Sequence, residues 1–288
     1  ISPSVLSDKF SGPKRNTALT VFYVAIPVGA ALGNFIGGQV AAHSSWRDAF
    51  IWAGAPGLLL ALVLLPFADT PRDPAAQKAP KPTIRDVLNL FRIPNYLLVV
   101  LGYTAYTFAL GGFQHWGSSF LQRVHHVPVD RAGTFFLASL AVSGLVATFL
   151  GGMTASALQK RTPAGYAIVL AVSVTLAVPV AFAALSLRNT TAAMWVLAAA
   201  MFLLFLSTGP VNTLLLETVP AHLRASAMAA SIFTIHLLGD MLSPRIVGEV
   251  SQNAGLGPAM LVLPAALVPA AILWGLLVMR MRKAVPAG

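Results

Sequence analysis

The stretch HLLGDMLSPRIVG, His236–Gly248, sets a His, an Asp, a Pro and an Arg into a run that is otherwise apolar. About 20 mostly apolar residues in helical conformation cross the hydrocarbon of a bilayer, and Ala225–Gly248 is long enough to do so. Seven further runs reach that length without a charge: Asn16–Ala42, Ala49–Ala68, Ile93–Gln122, Ala132–Gln159, Thr162–Leu187, Asn189–Leu216 and Val250–Met279. The quoted stretch is therefore the charged exception among eight candidate spans. With 57% hydrophobic and only 10% charged residues in 288, against roughly a quarter charged in soluble domains, the chain reads as an all-α membrane protein.

The formal charge of +10 would raise nucleic acid as a partner in a soluble protein. The positions of the cations say otherwise. Alternating the spans from a cytoplasmic start places 14 of the 19 Lys and Arg on the cytoplasmic side and leaves Arg47, Arg123, Arg131 and Arg188 outside, with Arg245 inside a span. This asymmetry predicts a multi-pass protein of a bacterial inner membrane with both ends of the chain cytoplasmic, and nucleic acid drops out as a partner. There is no cysteine, which excludes thiol catalysis and Cys-ligated metal. His125, His126 and Asp130 share an outer loop without a further ligand cluster, so no metal and no cofactor is expected. The chain opens on Ile without a signal peptide and reads as an N-terminally truncated fragment.

An internal repeat sizes the expected whole. Asp8, Arg15 and Ala18 have the spacing of Glu217, Arg224 and Ala227, each set in a loop that feeds an inward-to-outward span. The loops precede the first and seventh spans, six spans apart, and repeated multi-helix units are the usual construction of secondary transporters. The seventh span is followed by one more, so both are fifth of six, which predicts twelve spans with four upstream of Ile1. Residues 1–68 then hold the last two spans of an N-terminal bundle, 69–92 a cytoplasmic linker, and 93–288 a C-terminal six-helix bundle. The linker carries Pro71, Pro74, Pro80 and Pro82 and closes on TIRDVLNLFR. There Thr83 can cap a short helix whose apolar positions Ile84, Val87, Leu88 and Phe91 recur at helical spacing.

Twelve spans in two halves with a basic central loop resemble the major facilitator superfamily. Gly29, Gly33, Gly37 and Gly38 in GAALGNFIGG are similar to the glycine-rich signature of its antiporters, although Asn34 stands where that pattern has Pro and Thr20 where an earlier Gly would fall. Glycines at this spacing also let helix backbones pack closely. Within the superfamily the chain resembles the spinster-like branch through RNTALTVFYVAIPVGAALG, WRDAF, GGFQHWGSSFLQRVHHV and, above all, HLLGDMLSPRIVG. Members of that branch are associated with export of lysophospholipids and sphingosine phosphate. Arg245 departs from the apolar or aromatic residue expected after the Ser-Pro.

Read physically, His236 and Asp240 share a helix face. Pro244 lacks the N–H that would bond the Asp240 carbonyl, so the helix should loosen there, with Ser243 close to the same face. Ionisable residues within a span are functional candidates by default, and this pair suits proton handling, with interhelical ion pairing as the plainer alternative. Arg245 can pair with Glu249 four residues on or clamp an anionic headgroup. Pro210 loosens the sixth span, where Thr208 and Asn212 share a face. In the third span Tyr103, His115 and the stripe Phe113, Trp116 and Phe120 wall a cavity or pack the core. Asp8, Arg15, Glu217 and Arg224 read as a gate or loop latch.

These features predict a secondary transporter that moves an amphipathic lysolipid-like or other organic anion by alternating access, with protons as a candidate coupling ion. A multidrug or organic-anion exporter unrelated to lipids is the alternative. A membrane-embedded acyltransferase is remote, because His236 and Asp240 are one residue closer than that motif requires and no serine elbow or metal cluster accompanies them.

Overall fold

A computed structural model describes Leu6, residues 9–65 and residues 83–283, and these are helical, with no strand among them. Six helical segments are long and apolar enough to cross a membrane: Pro94–Arg123, Val129–Gln159, Gly165–Ser186, Thr190–Glu217, Ala221–Ala254 and Leu256–Lys283. They correspond to six of the eight runs read from the sequence. Over the other two the chain is also helical, as α1 (Gly12–His43) and α2 (Trp46–Leu64).

The chain divides into two compact units, Ile1–Val24 with Pro82–Gly288, and Ala25–Lys81. The second unit holds the remainder of α1 and all of α2. Ser45 caps α2 by accepting the Asp48 N–H at 3.3 Å, while its hydroxyl donates to the Asp48 carboxylate at 2.9 Å. This satisfies one of the orphan donors that every helix start presents.

The larger unit begins with the first turns of α1 and resumes at α3 (Ile84–Leu90). The expected cap is present: Thr83 and Asp86 form a reciprocal capping box. Three uninterrupted helices follow closely, α4 (Pro94–Arg123), α5 (Val129–Gln159) and α6 (Gly165–Ser186). Each remaining span is broken. α7 (Thr190–Phe205) gives way to α8 (Thr208–Glu217) where Pro210 cannot donate. The next comprises a single 3₁₀ turn, α9 (Arg224–Ile235), a π-helical turn over His236–Asp240 and α10 (Ser243–Ala254). The last is the short α11 (Leu256–Met260) followed by α12 (Val262–Lys283).

α12 packs along α4 and α6, α7 lies between α5 and α6, and the π turn lies on α4. The core is anchored by fully buried rings, among them Trp274, Tyr96, Tyr106, Tyr166, Phe113 and Phe120. Polar ends among them reach backbone acceptors: Tyr96 donates to the Ala227 carbonyl at 2.8 Å, Tyr106 to the Leu204 carbonyl at 3.0 Å and Trp274 to the Val99 carbonyl at 3.4 Å. The second bond matters for the break, because Leu204 is one of the last residues of α7, where carbonyls lose their helical partners. Thr148 on α5 serves the next one, donating to Phe205 at 3.4 Å, and the Ser207 and Ser173 hydroxyls share a buried bond of 2.7 Å. Side chains of two neighbouring helices, α4 and α5, thus reach carbonyls at the end of α7, as membrane interiors require.

Candidate functional site

The π turn is the structural answer to the quoted stretch. Met241 donates its N–H to the His236 carbonyl at 3.1 Å, one residue further back than an α-helix allows. Pro244 then falls in the first turn of α10, where its missing N–H costs least. The loosening anticipated at the proline is therefore accommodated upstream, as a widened turn that contains both ionisable residues. Wide turns of this kind are rare and frequent at functional sites.

Within it the His236 Nδ1 lies 2.8 and 3.0 Å from the two carboxylate oxygens of Asp240. The side chains are 59% and 33% exposed, so the pair stands on the outside of the bundle instead of inside it. The turn is held by close contact with α4. A Cβ at Gly111 would lie 2.8 Å from the Asp240 Cα and 3.4 Å from the Ser243 Oγ, so only a glycine admits the turn there. Gly239 approaches the backbone of Thr104 and Phe108 on the same helix. Ser243 is fully buried, and its hydroxyl has no hydrogen-bond partner among the described residues.

Other predicted residues gather around this crossing. Trp116 donates from Nε1 to the Pro244 carbonyl at 3.0 Å, and its ring meets His115 edge-on at 5.1 Å. His115 is exposed and Trp116 half-buried, whereas Phe113 and Phe120 are fully buried in the core. Two members of the aromatic stripe thus pack the bundle and one reaches the π turn. Asn212 donates to the Thr208 carbonyl at 2.9 Å and to the Tyr103 hydroxyl at 3.5 Å, linking α8 to α4. Arg245 pairs with Glu249 at 2.8 Å, both well exposed. His236, Asp240, Arg245 and Glu249 form an ionisable surface along one membrane-crossing segment.

A second polar cluster joins α1, α5 and α8. Arg15, almost fully buried, lies 3.4 Å from the Glu217 carboxylate and donates from Nε to the Phe10 carbonyl at 3.1 Å. The sequence paired Glu217 with Arg224 of its own loop. The structure brings Arg15, in the first turns of α1, to Glu217 at the end of α8, and Arg224 also acts on the Glu217 charge while donating to the Leu216 carbonyl at 3.3 Å. Asp8 lies outside the described residues. Beside the ion pair sits a residue that sequence reading missed: Asn16, fully buried, donates to the Gly152 carbonyl at 2.6 Å and the Ser156 hydroxyl at 2.8 Å, and accepts from Thr213 at 2.9 Å. A lone amide early in an uncharged run is the only signal that could have found it. Gly152 makes the approach possible, since a Cβ there would fall inside van der Waals distance of Thr20. By contrast, among the described residues nothing lies within 4 Å of a Cβ placed at Gly29 or Gly33, so the close helix packing read into that glycine series occurs elsewhere on α1. Gly37 is helical, but its surroundings lie outside the described residues.

Comparison with known proteins agrees with this architecture. The sequence pattern of the Major Facilitator Superfamily matches residues 1–244. The chain is 31% identical over 278 residues to Protein spinster homolog 3 of Danio rerio, covering 88% of this chain and 55% of that protein. It is also 31% identical over 290 residues to the probable sphingolipid transporter spinster homolog 2 of Arabidopsis thaliana, covering 94% and 59%. The chain thus spans little more than half the length of these relatives. Its fold is similar to the crystal structure of a bacterial homolog of the human lysosomal transporter Spinster, with a TM-score of 0.66 at 21% identity over 99% of this chain and 76% of that one. The human organic anion transporter MFSD10 is similar in fold too, with a TM-score of 0.69 at 17% identity over 95% and 66%. On this evidence the chain, a spinster-like multi-pass membrane protein, belongs to the Major Facilitator Superfamily.

Proposed function

We propose that this chain forms the larger part of a secondary transporter that moves an amphipathic, lysolipid-like anion across the membrane by alternating access. The observation that carries the reading is the exposed ionisable surface His236, Asp240, Arg245 and Glu249 on a segment otherwise apolar enough to span. A charge facing hydrocarbon costs about 2.5–3.5 kcal/mol on insertion scales. Four such groups therefore face water or protein, and an aqueous path through a two-bundle transporter is the arrangement that uses them. Relatives named as sphingolipid or sphingosine-1-phosphate transporters support the substrate class.

In this scheme the His236–Asp240 pair exchanges protons with the path, Arg245 attracts the anionic headgroup, and the aromatic residue Trp116 meets the apolar part. Arg15 and Glu217, with Asn16, close the cytoplasmic end. Residues 1–68 and 93–288 belong to opposite bundles, both ends of the chain face the cytoplasm, and the host membrane is a bacterial inner membrane.

The test follows a fluorescent lysophospholipid into liposomes that contain the intact protein, with and without an imposed pH gradient. Saturable, gradient-sensitive movement is expected, and Asp240→Asn should abolish the gradient sensitivity. Unchanged gradient dependence in Asp240→Asn sinks proton coupling through this pair. Absence of any movement by folded protein sinks the lipid-like substrate.

A further inference from the structure

A cationic surface lies away from the π turn, where α3 meets the start of α4. Helix α3 shows two faces. Leu90 is fully buried, and Val87 and Phe91 are partly so, which fixes the helix to the bundle. The opposite side carries Ile84 and Leu88 at i, i+4, which are 81% and 63% exposed, beside the exposed Arg85, with Arg92 exposed in the turn that follows the helix. An exposed apolar pair flanked by arginines is the pattern of a helix lying at a bilayer interface.

A second observation places more charge at the same spot. Arg280, in the last turns of α12, donates to the Asn95 side chain at 3.4 Å. That bond brings the basic end of α12, with Arg280, Arg282 and Lys283, beside the α3–α4 junction. α12 and α4 are both long enough to cross the membrane, so this junction lies at a membrane boundary. Asp86 is the one carboxylate on α3, and it is engaged in the cap of its own helix, accepting from the Thr83 N–H at 2.8 Å and the Thr83 hydroxyl at 2.7 Å. Those bonds hold the Asp86 carboxyl below the usual carboxylate range.

We propose that α3 and the basic end of α12 form a docking shelf for the anionic phospholipids of the surrounding bilayer, with Ile84 and Leu88 entering the interface and the arginines binding headgroups. Charge complementarity selects this occupant: α3, the turn after it and the end of α12 present five exposed cations and one carboxylate, already engaged in its cap, and each cation near an anionic surface is worth about fivefold in affinity. The inference is independent of the transported substrate and of the direction of transport.

The chain has no cysteine, so single nitroxide labels at Ile84→Cys, Leu88→Cys and Asn89→Cys report their own surroundings. In nanodiscs of phosphatidylcholine with phosphatidylglycerol, the labels at 84 and 88 should collide with dissolved oxygen more than with a water-soluble nickel chelate. The label at 89 should show the reverse. Removing phosphatidylglycerol should move 84 and 88 toward the aqueous pattern. In mass spectrometry of the intact protein, Arg85→Gln with Arg92→Gln should lower the preference for retained phosphatidylglycerol over phosphatidylcholine by about 25-fold. Arg280→Gln with Arg282→Gln should act in the same direction. Labels at 84 and 88 that stay water-accessible in both lipids would overturn the proposal. So would labels shielded from both reagents, since protein would then cover the face. Transport would be unaffected by that failure, and a failed transport assay would leave the lipid shelf standing.

Discussion

The Arg15 guanidinium lies 3.4 Å from the Glu217 carboxylate across 202 positions of sequence, and the two residues come from loops that share one spacing pattern. The repeat set Glu217 beside Arg224 of its own loop, and Arg15 joins them from the other repeat, so that both arginines act on the one carboxylate. An arginine this buried needs a counter-charge, because removing one partner of a buried pair strands the other. The contact therefore couples the first turns of α1 to the end of α8.

The coupling is measurable by a double-mutant cycle. Glu217→Gln should destabilise the folded protein by about 1.5–3 kcal/mol, the range for hydrogen bonds to charged groups. Arg15→Gln should cost a similar amount, and the double variant should cost less than the two added together. Thermal unfolding in detergent reads all three. Strict additivity would show that the pair carries no coupling.

Asn16 should matter for a different reason. Its three bonds join α1 to α5 and α8 without charge. Polar bonds between membrane helices average about 0.6 kcal/mol, with a maximum near 1.7, so Asn16→Ala should cost roughly 1–3 kcal/mol in all. Hydrogen exchange should rise in α8, which contains Thr213, and in α5 near Gly152. If exchange in both helices is unchanged, the amide is not holding the junction.

How far the sequence reached depends on the range of the interaction. His236–Asp240 and Arg245–Glu249 are four-residue pairs set by helical periodicity alone, and both form as read. The breaks at Pro210 and Pro244 follow from a missing donor and are equally local. The Thr83–Asp86 cap is local too. What the sequence did not disclose is set by tertiary approach: that Arg15 reaches Glu217, where Asn16 finds partners, and that Phe113 turns into the core while Trp116 reaches Pro244. The glycine series of α1 shows the same limit. Its spacing permits close packing, but the close approaches are made by Gly152 and Gly111, whose partners only the fold supplies.

Gly111 gives a direct test of the π turn. A Cβ there meets backbone and Cβ of Asp240, and backbone cannot swing aside as the end of a long side chain can. Gly111→Ala should therefore displace the turn and cost about 1–3 kcal/mol, as overpacking typically does. Gly275→Ala is the matched control, because nothing lies within 4 Å of a Cβ at that position among the described residues. Thermal unfolding should separate the two variants clearly, and equal effects would mean that the turn yields without strain.

The loop between α4 and α5 supplies the pH dependence. His125 lies between α4 and α5, with its ring edge-on to Phe120 at 5.2 Å, and its buried Nε2 has no hydrogen-bond partner among the described residues. Burial first, and the neighbouring His126 second, lower the His125 pKa from its ordinary 6.5. Protonation would make both ring nitrogens donors, and Nε2 has no acceptor to receive one. The folded state therefore resists the proton that the unfolded chain accepts. The loop loses nothing above pH 6.5, loses stability as pH falls below that value, and levels off once the folded pKa is passed. His126 adopts φ +55°, a left-handed conformation that glycine takes without strain, so His126→Gly should keep the loop shape while removing the neighbouring charge. The ring signals of His125, followed by NMR across the range in which histidines titrate, should show a midpoint below 6.5 that rises in His126→Gly. A midpoint at or above the ordinary value in the unsubstituted protein would mean that water reaches the ring and that burial does not govern its charge.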